Sequence, residues 1–123
     1  MFRTVTVAGV SLRVLPGNPV TTIEAVDPID DRFTLAIVPR ARTGSFDERF
    51  ALHATPLDLP RVVLAPALRE QLCALRHAPT IHVVDGALTA EVAQLEPAVL
   101  DVIAALVHGL AERSAICRGS GYT

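Results

Sequence analysis

The sequence predicts an α+β domain, an antiparallel sheet of about five to seven strands covered by two helices. Three observations carry this prediction. Segments with two-residue apolar periodicity fill the first half of the chain. Two stretches with helical periodicity follow, one mid-chain and one at the end. The order is strands, a helix, a hairpin and a closing helix, without the strand–helix–strand alternation of a parallel sheet.

"FRTVTVAGVSLRVL" (2–15) is rich in β-branched residues, with Val5 and Val7 on one face of its first segment and Val10, Leu12 and Val14 on one face of the next. Ala8-Gly9 between them reads as a hairpin turn, although it lacks the Asn or Asp that marks the strongest such turns. "PGNP" (16–19) breaks the chain, "VTTIEAV" (20–26) is a further strand, and "DPIDD" ends it. In "RFTLAIV" (32–38), Phe33, Leu35 and Ile37 point one way and Pro39 stops the run.

"TGSFDERFALHAT" (43–55) then brings two phenylalanines close together. Gly44 supplies a turn, and "SFDE" (45–48) is a capping-box pattern that starts one helical turn. Phe46 and Phe50, four apart, share a face in either a helix or a strand, so both are expected to plug the core. "FALHAT" (50–55) is a strand with His53 on its outer side. In "RVVLAPALREQLCALRHA" (61–78), Pro66 divides a short turn at 60–64 from a main helix with Leu68, Leu72 and Leu75 as its buried stripe. "TIHVVDGALTAEV" (80–92) is a hairpin closed by Asp85-Gly86. "EPAVLDVIAALVHGLAERSA" (96–115) is the closing helix, which makes 1–115 a single domain and leaves 116–123 as a frayed tail.

Composition narrows the function. The 123 residues match one domain with one core, and 50% hydrophobic against 20% charged residues is ordinary globular usage. Aromatic residues make up 4%, so Val, Leu, Ile and Ala build that core. A net charge of -2 supplies no field to gather nucleic acid. The most apolar stretch, "VLDVIAALVHGLA" (99–111), is too short and too interrupted to insert in a membrane. No charged n-region and apolar run opens the chain, and it reads as cytoplasmic. All eleven basic residues are Arg, which points to a GC-rich source. Cys73 and Cys117 have no metal-binding spacing, and Cys73 lies in an apolar helical pattern as a small hydrophobe.

At "FDERFALHATPLDLPRVVLAPALREQLCALR" (46–76) and the hairpin after it, the chain resembles an uncharacterised bacterial family known under domain-of-unknown-function labels. Phe46, Phe50, Asp58, Leu64, Pro66 and Leu72 carry the resemblance, over roughly a third to two-fifths of the chain. It implies a fold and no activity. Members often carry this region as the cytosolic part of a membrane-anchored protein, whereas this sequence shows no membrane segment.

No constellation for catalysis stands out. There is no G-x-S-x-G elbow, no phosphate-cradling glycine loop and no H-x-x-x-H pair, and Asp27, Asp30 and Asp31 lack the ligand spacing of a calcium loop. His53, His82 and Asp85 would form a metal-dependent or hydrolytic site if the sheet brought them together. Arg40, Arg42 and Arg49, with Arg32, cluster around the middle loop and suit an anionic partner, although acidic residues share the region. Val99, Val102, Ile103, Leu106, Val107 and Leu110 span more than a narrow stripe, which makes the closing helix a candidate for self-association through Val99 and Val107.

The leading expectation is a small non-catalytic interaction domain that binds a protein partner or itself, without a cofactor, nucleic acid or membrane insertion. The alternative is the enzyme built on His53, His82 and Asp85. A structural or immunity-type protein encoded beside its partner is a third reading.

Overall fold

In the computed structural model, residues 2–120 are described, with side chains through Ala115. Seven strands form one antiparallel sheet: β1 (Arg3–Val7), β2 (Val10–Leu15), β3 (Thr21–Ala25), β4 (Thr34–Pro39), β5 (Phe50–Thr55), β6 (Thr80–Val84) and β7 (Ala87–Val92). Two helices, α3 (Pro66–Ala74) and α4 (Pro97–Ser120), accompany it, with two short helical turns, α1 (Phe46–Arg49) and α2 (Leu59–Val63). The fold is therefore the expected α+β class. Helix α4 continues past residue 115, where the sequence suggested a frayed tail; the side chains of 116–120 and all of 121–123 lie outside the described residues.

The spatial strand order is β1-β2-β3-β7-β6-β4-β5. The first three strands form a meander, and β4 and β5 pair with each other. Between these two parts sits the β6–β7 hairpin, β7 against β3 and β6 against β4. Both hairpin turns are built as the sequence suggests: Ala8 and Gly9, and Asp85 and Gly86, all have positive φ, matching the right-handed twist of the strands they join.

The connection from β3 to β4 passes the tip of the central hairpin, where the Ile29 N–H donates to the Gly86 carbonyl at 2.8 Å. A Cβ on Gly86 would lie 3.2 Å from the Ile29 carbonyl oxygen, so glycine permits both the turn and the crossing. One residue on, the Asp30 carboxylate accepts the Ser114 hydroxyl of α4 at 2.7 Å and the Arg32 guanidinium at 2.6 Å. This pins the crossing segment to α4 at Ser114. The donors hold the Asp30 carboxyl well below the usual carboxylate range, Arg32 foremost and Ser114 next, since each favours the charged form.

One core lies between the sheet and the helices. Strand residues Leu12, Ile23, Ile37, Ile81, Leu88 and Ala90 are fully buried and share it with Leu64 and Leu72 and with Ile103 and Leu106 of α4. Helix α4 lies over β1 and β2, α2 packs on β5 and α4, and α3 rests on α4 and α1. The α2–α4 approach is close at Gly109, where a Cβ would lie 3.3 Å from that of Val63.

Phe46 and Phe50 do close this core. Their rings stack at 4.9 Å between centroids, and Phe50 is 2% exposed. The Glu48 carboxylate accepts the Ser45 N–H at 3.2 Å and the Ser45 hydroxyl at 3.0 Å, completing the capping box that fixes α1. Gly44 beside it has φ +120°, a backbone conformation that an L side chain would strain. The Arg69 guanidinium lies 5.1 Å over the Phe46 ring and seals the outside of the stack.

Candidate functional site

Alternation along each strand sends one set of side chains into the core and the other to the opposite face of the sheet. On the inward set the strands are packed. On the outward set no residue is buried, from Thr4 and Thr6 on β1 to Ala51, His53 and Thr55 on β5. Among the described residues every helix contributes its buried side chains to the one core, so the outward face carries no cover. An antiparallel sheet can present such a face to water.

The register aligns one outward residue from each strand in a single row: Thr4, Arg13, Glu24, Thr89, His82, Ala36 and His53. In the neighbouring row, Leu15 faces Thr22, Thr22 faces Glu91, and Glu91 faces Thr80. The face thus has two unlike halves. Its β2–β3–β7 half holds Arg13, Glu24 and Glu91, with Arg13 3.6 Å from Glu24 and 5.0 Å from the centre of the Phe2 ring. Its β6–β4–β5 half has two imidazoles and no acid on its strands, only Thr, Ala and Val besides.

In that second half, Ala36 stands between the two histidines, paired with His82 on one side and His53 on the other. The short methyl between two rings leaves an open groove of about 620 Å³, lined by Thr34, Ala36, His53, Thr55, His82 and Val84 and walled by Leu57 and Pro60. Leu57 is 91% exposed there. At two strand spacings, about 10 Å, the imidazoles can flank a group that enters between them.

The proposed metal triad is not assembled. His53 and His82 share the face but are a full strand apart, and Asp85 belongs to the hairpin turn beyond the end of β6. Among the described residues no group of three His, Cys, Asp or Glu side chains converges to hold a metal ion. Sequence alternation put the histidines outward, and the strand order then placed β4 between them.

The arginine cluster is also divided. Arg32 is bound to Asp30, and Arg49 donates from Nη1 to the Cys73 carbonyl at 2.8 Å, half-buried and tying α1 to the end of α3. Arg40 and Arg42 are exposed on the loop after β4, around a shallow depression. The hydrophobic closing helix is mostly core: Val99 is 0% exposed, inside the chain's own packing, and Val107 is half-buried. Cys73 is a half-buried free thiol, whereas the Cys117 side chain lies outside the described residues.

Arg13, Glu24, Ala36 and Thr89 were not singled out from sequence, because their meaning lies in which strands are neighbours. The only signal available there was the outward parity of polar residues on each strand. Among the described residues no helix is long and apolar enough to cross a membrane. Comparison of the chain with protein-family models, with curated proteins and with solved structures found no match.

Proposed function

We propose that the protein is a small non-catalytic binding domain whose uncovered sheet face receives a protein partner, a second copy of the chain included. The observation that carries this reading is the asymmetry of the sheet: one face is packed by the helices, while the other, seven strands wide, carries no cover among the described residues and holds a groove flanked by His53 and His82. Its short Thr, Ala and Ser side chains leave it flat enough for another protein surface to approach, and its mixed charges give that approach a preferred orientation. The chain's net charge of -2 favours a protein surface over nucleic acid. On this reading the exposed Arg40 and Arg42 are solvated loop charges, and the half-buried Arg49 is a structural tie.

A photo-activated cross-linking residue placed at Thr89, in the middle of the face, tests the reading in cells that naturally make the protein. The same residue at Glu112, exposed on α4, is the comparison. Protein adducts are expected from Thr89 and not from Glu112. Adducts from neither position, or from Glu112 alone, would remove the sheet face as a binding surface.

A further inference from the structure

From the pattern of the face we infer that its occupant is a second copy of the same chain, packed sheet to sheet about a two-fold axis that runs parallel to the strands between β6 and β7. This rests on the proposed function and names its partner. A two-fold interface must be complementary to itself, each patch meeting the patch on the other side of the axis. That axis lays β7 on the second copy's β6, β3 on its β4 and β2 on its β5, and it keeps every row opposite the same row.

The side chains then meet as follows. Glu24 faces Ala36 of the second copy, and its carboxylate enters the groove between that copy's His82 and His53, which can donate to it. Thr89 faces His82, Glu91 faces Thr80, a hydroxyl, and Arg13 faces His53, with Glu24 beside it at 3.6 Å to balance its charge. No acid meets an acid, because Glu24 and Glu91 both lie on one side of the axis and both imidazoles on the other. The short Ala36 side chain is what makes room for the longer Glu24, and stacked sheets lie about 10 Å apart, within the summed reach of a glutamate and an imidazole.

The area is sufficient. Six overlapping strands at about 4.8 Å spacing and five residues at about 3.4 Å each give a rectangle of about 29 by 17 Å. Two such faces cover about 1,000 Å² before side-chain relief is added, the size at which a specific interface becomes credible.

Sedimentation velocity from low micromolar to near-millimolar concentration, with circular dichroism to confirm folding, tests the arrangement. The parent is expected to dimerise. Ala36→Glu puts an acid where Glu24 of the second copy arrives, and Glu24→Arg puts a cation between two imidazoles. Each should weaken the dimer at least ~tenfold, the first by a like-charge contact and the second by taking away the carboxylate that the imidazoles donate to and setting a second cation beside Arg13. The double variant Ala36→Glu/Glu24→Arg should recover it, since the new pair attracts; if Ala36→Glu fails to fold, Glu24→Arg alone carries the test. Val107→Glu, on α4, should leave the dimer unchanged. A parent that is monomeric throughout, a dimer indifferent to Glu24→Arg, or one dissociated by Val107→Glu overturns the inference. In that event, cross-linking from Thr89 to a different protein would still support the binding role of the face.

Discussion

Truncating Phe50 to Ala is the most direct probe of how this fold is closed. Phe50 opens β5 at the edge of the sheet, is buried, and stacks on Phe46 from the preceding helical turn. Removing its ring exposes no surface in the folded state and leaves a void next to an element only four residues long, α1, which has little of its own to hold it in place. A buried ring of roughly 150 Å² at about 25 cal/mol per Å² corresponds to about 4 kcal/mol. Partial collapse of Phe46 into the gap would bring this toward the lower end of the roughly 3–5 kcal/mol typical of Phe→Ala in a core. Against a domain stability of about 5–15 kcal/mol, such a loss lowers a urea midpoint by about 1–3 M. Equilibrium denaturation followed by circular dichroism, parent beside variant, measures it. A folded Phe50→Ala protein with the parental midpoint would refute the reasoning and show that the two rings do not close the core.

The two charges between these rings should behave differently from each other. Asp47→Asn should change stability by no more than about 0.5 kcal/mol, as its nearest cation, Arg69, is 3.9 Å away in solvent. Arg49→Gln should cost about 1–2 kcal/mol, because the guanidinium donates to the Cys73 carbonyl in a half-buried setting. Asp30→Asn should cost about 1–3 kcal/mol at neutral pH, by weakening the link from the crossing segment to Ser114 and Arg32. Since the Asp30 pKa is depressed in the folded state, its contribution is complete above the unfolded carboxylate pKa of about 3.9 and is lost as pH falls further. The gap between the denaturant midpoints of parent and variant should therefore narrow steadily as pH falls below about 4, and a gap that stays constant down to about pH 2 would refute the charge-based account. Finally, the purified protein should contain no stoichiometric transition metal, and a chelator should leave its melting temperature unchanged. A fall of several degrees would restore the enzyme reading built on His53, His82 and Asp85.

Local chemistry determined a large part of this protein by itself. Asp85-Gly86 and Ala8-Gly9 could adopt the positive φ values their turns need, Pro66 could begin a helix but not sit inside one, and strand periodicity marked Phe33, Leu35 and Ile37 as sharing one face, which is the buried one. Each of these is decided within a few residues, by sterics or by alternation. The tertiary structure alone decided that the late β6–β7 hairpin inserts between β3 and β4, because several outward-polar strands with similar alternation can pair in many orders and only the complete packing selects one. From that order follow the row joining Arg13 and Glu24 to His82, Ala36 and His53, the separation of the histidines from Asp85, and the open groove. The same holds for Val99, whose helical stripe looked wide enough to leave a surface patch, yet it lies fully buried in the shared core. Arg49 likewise belongs by sequence to a loop cluster suited to an anion, whereas folding brings a carbonyl from 24 residues away to its guanidinium. In each case the deciding partner is distant in the chain, and neither propensity nor periodicity carries information about it.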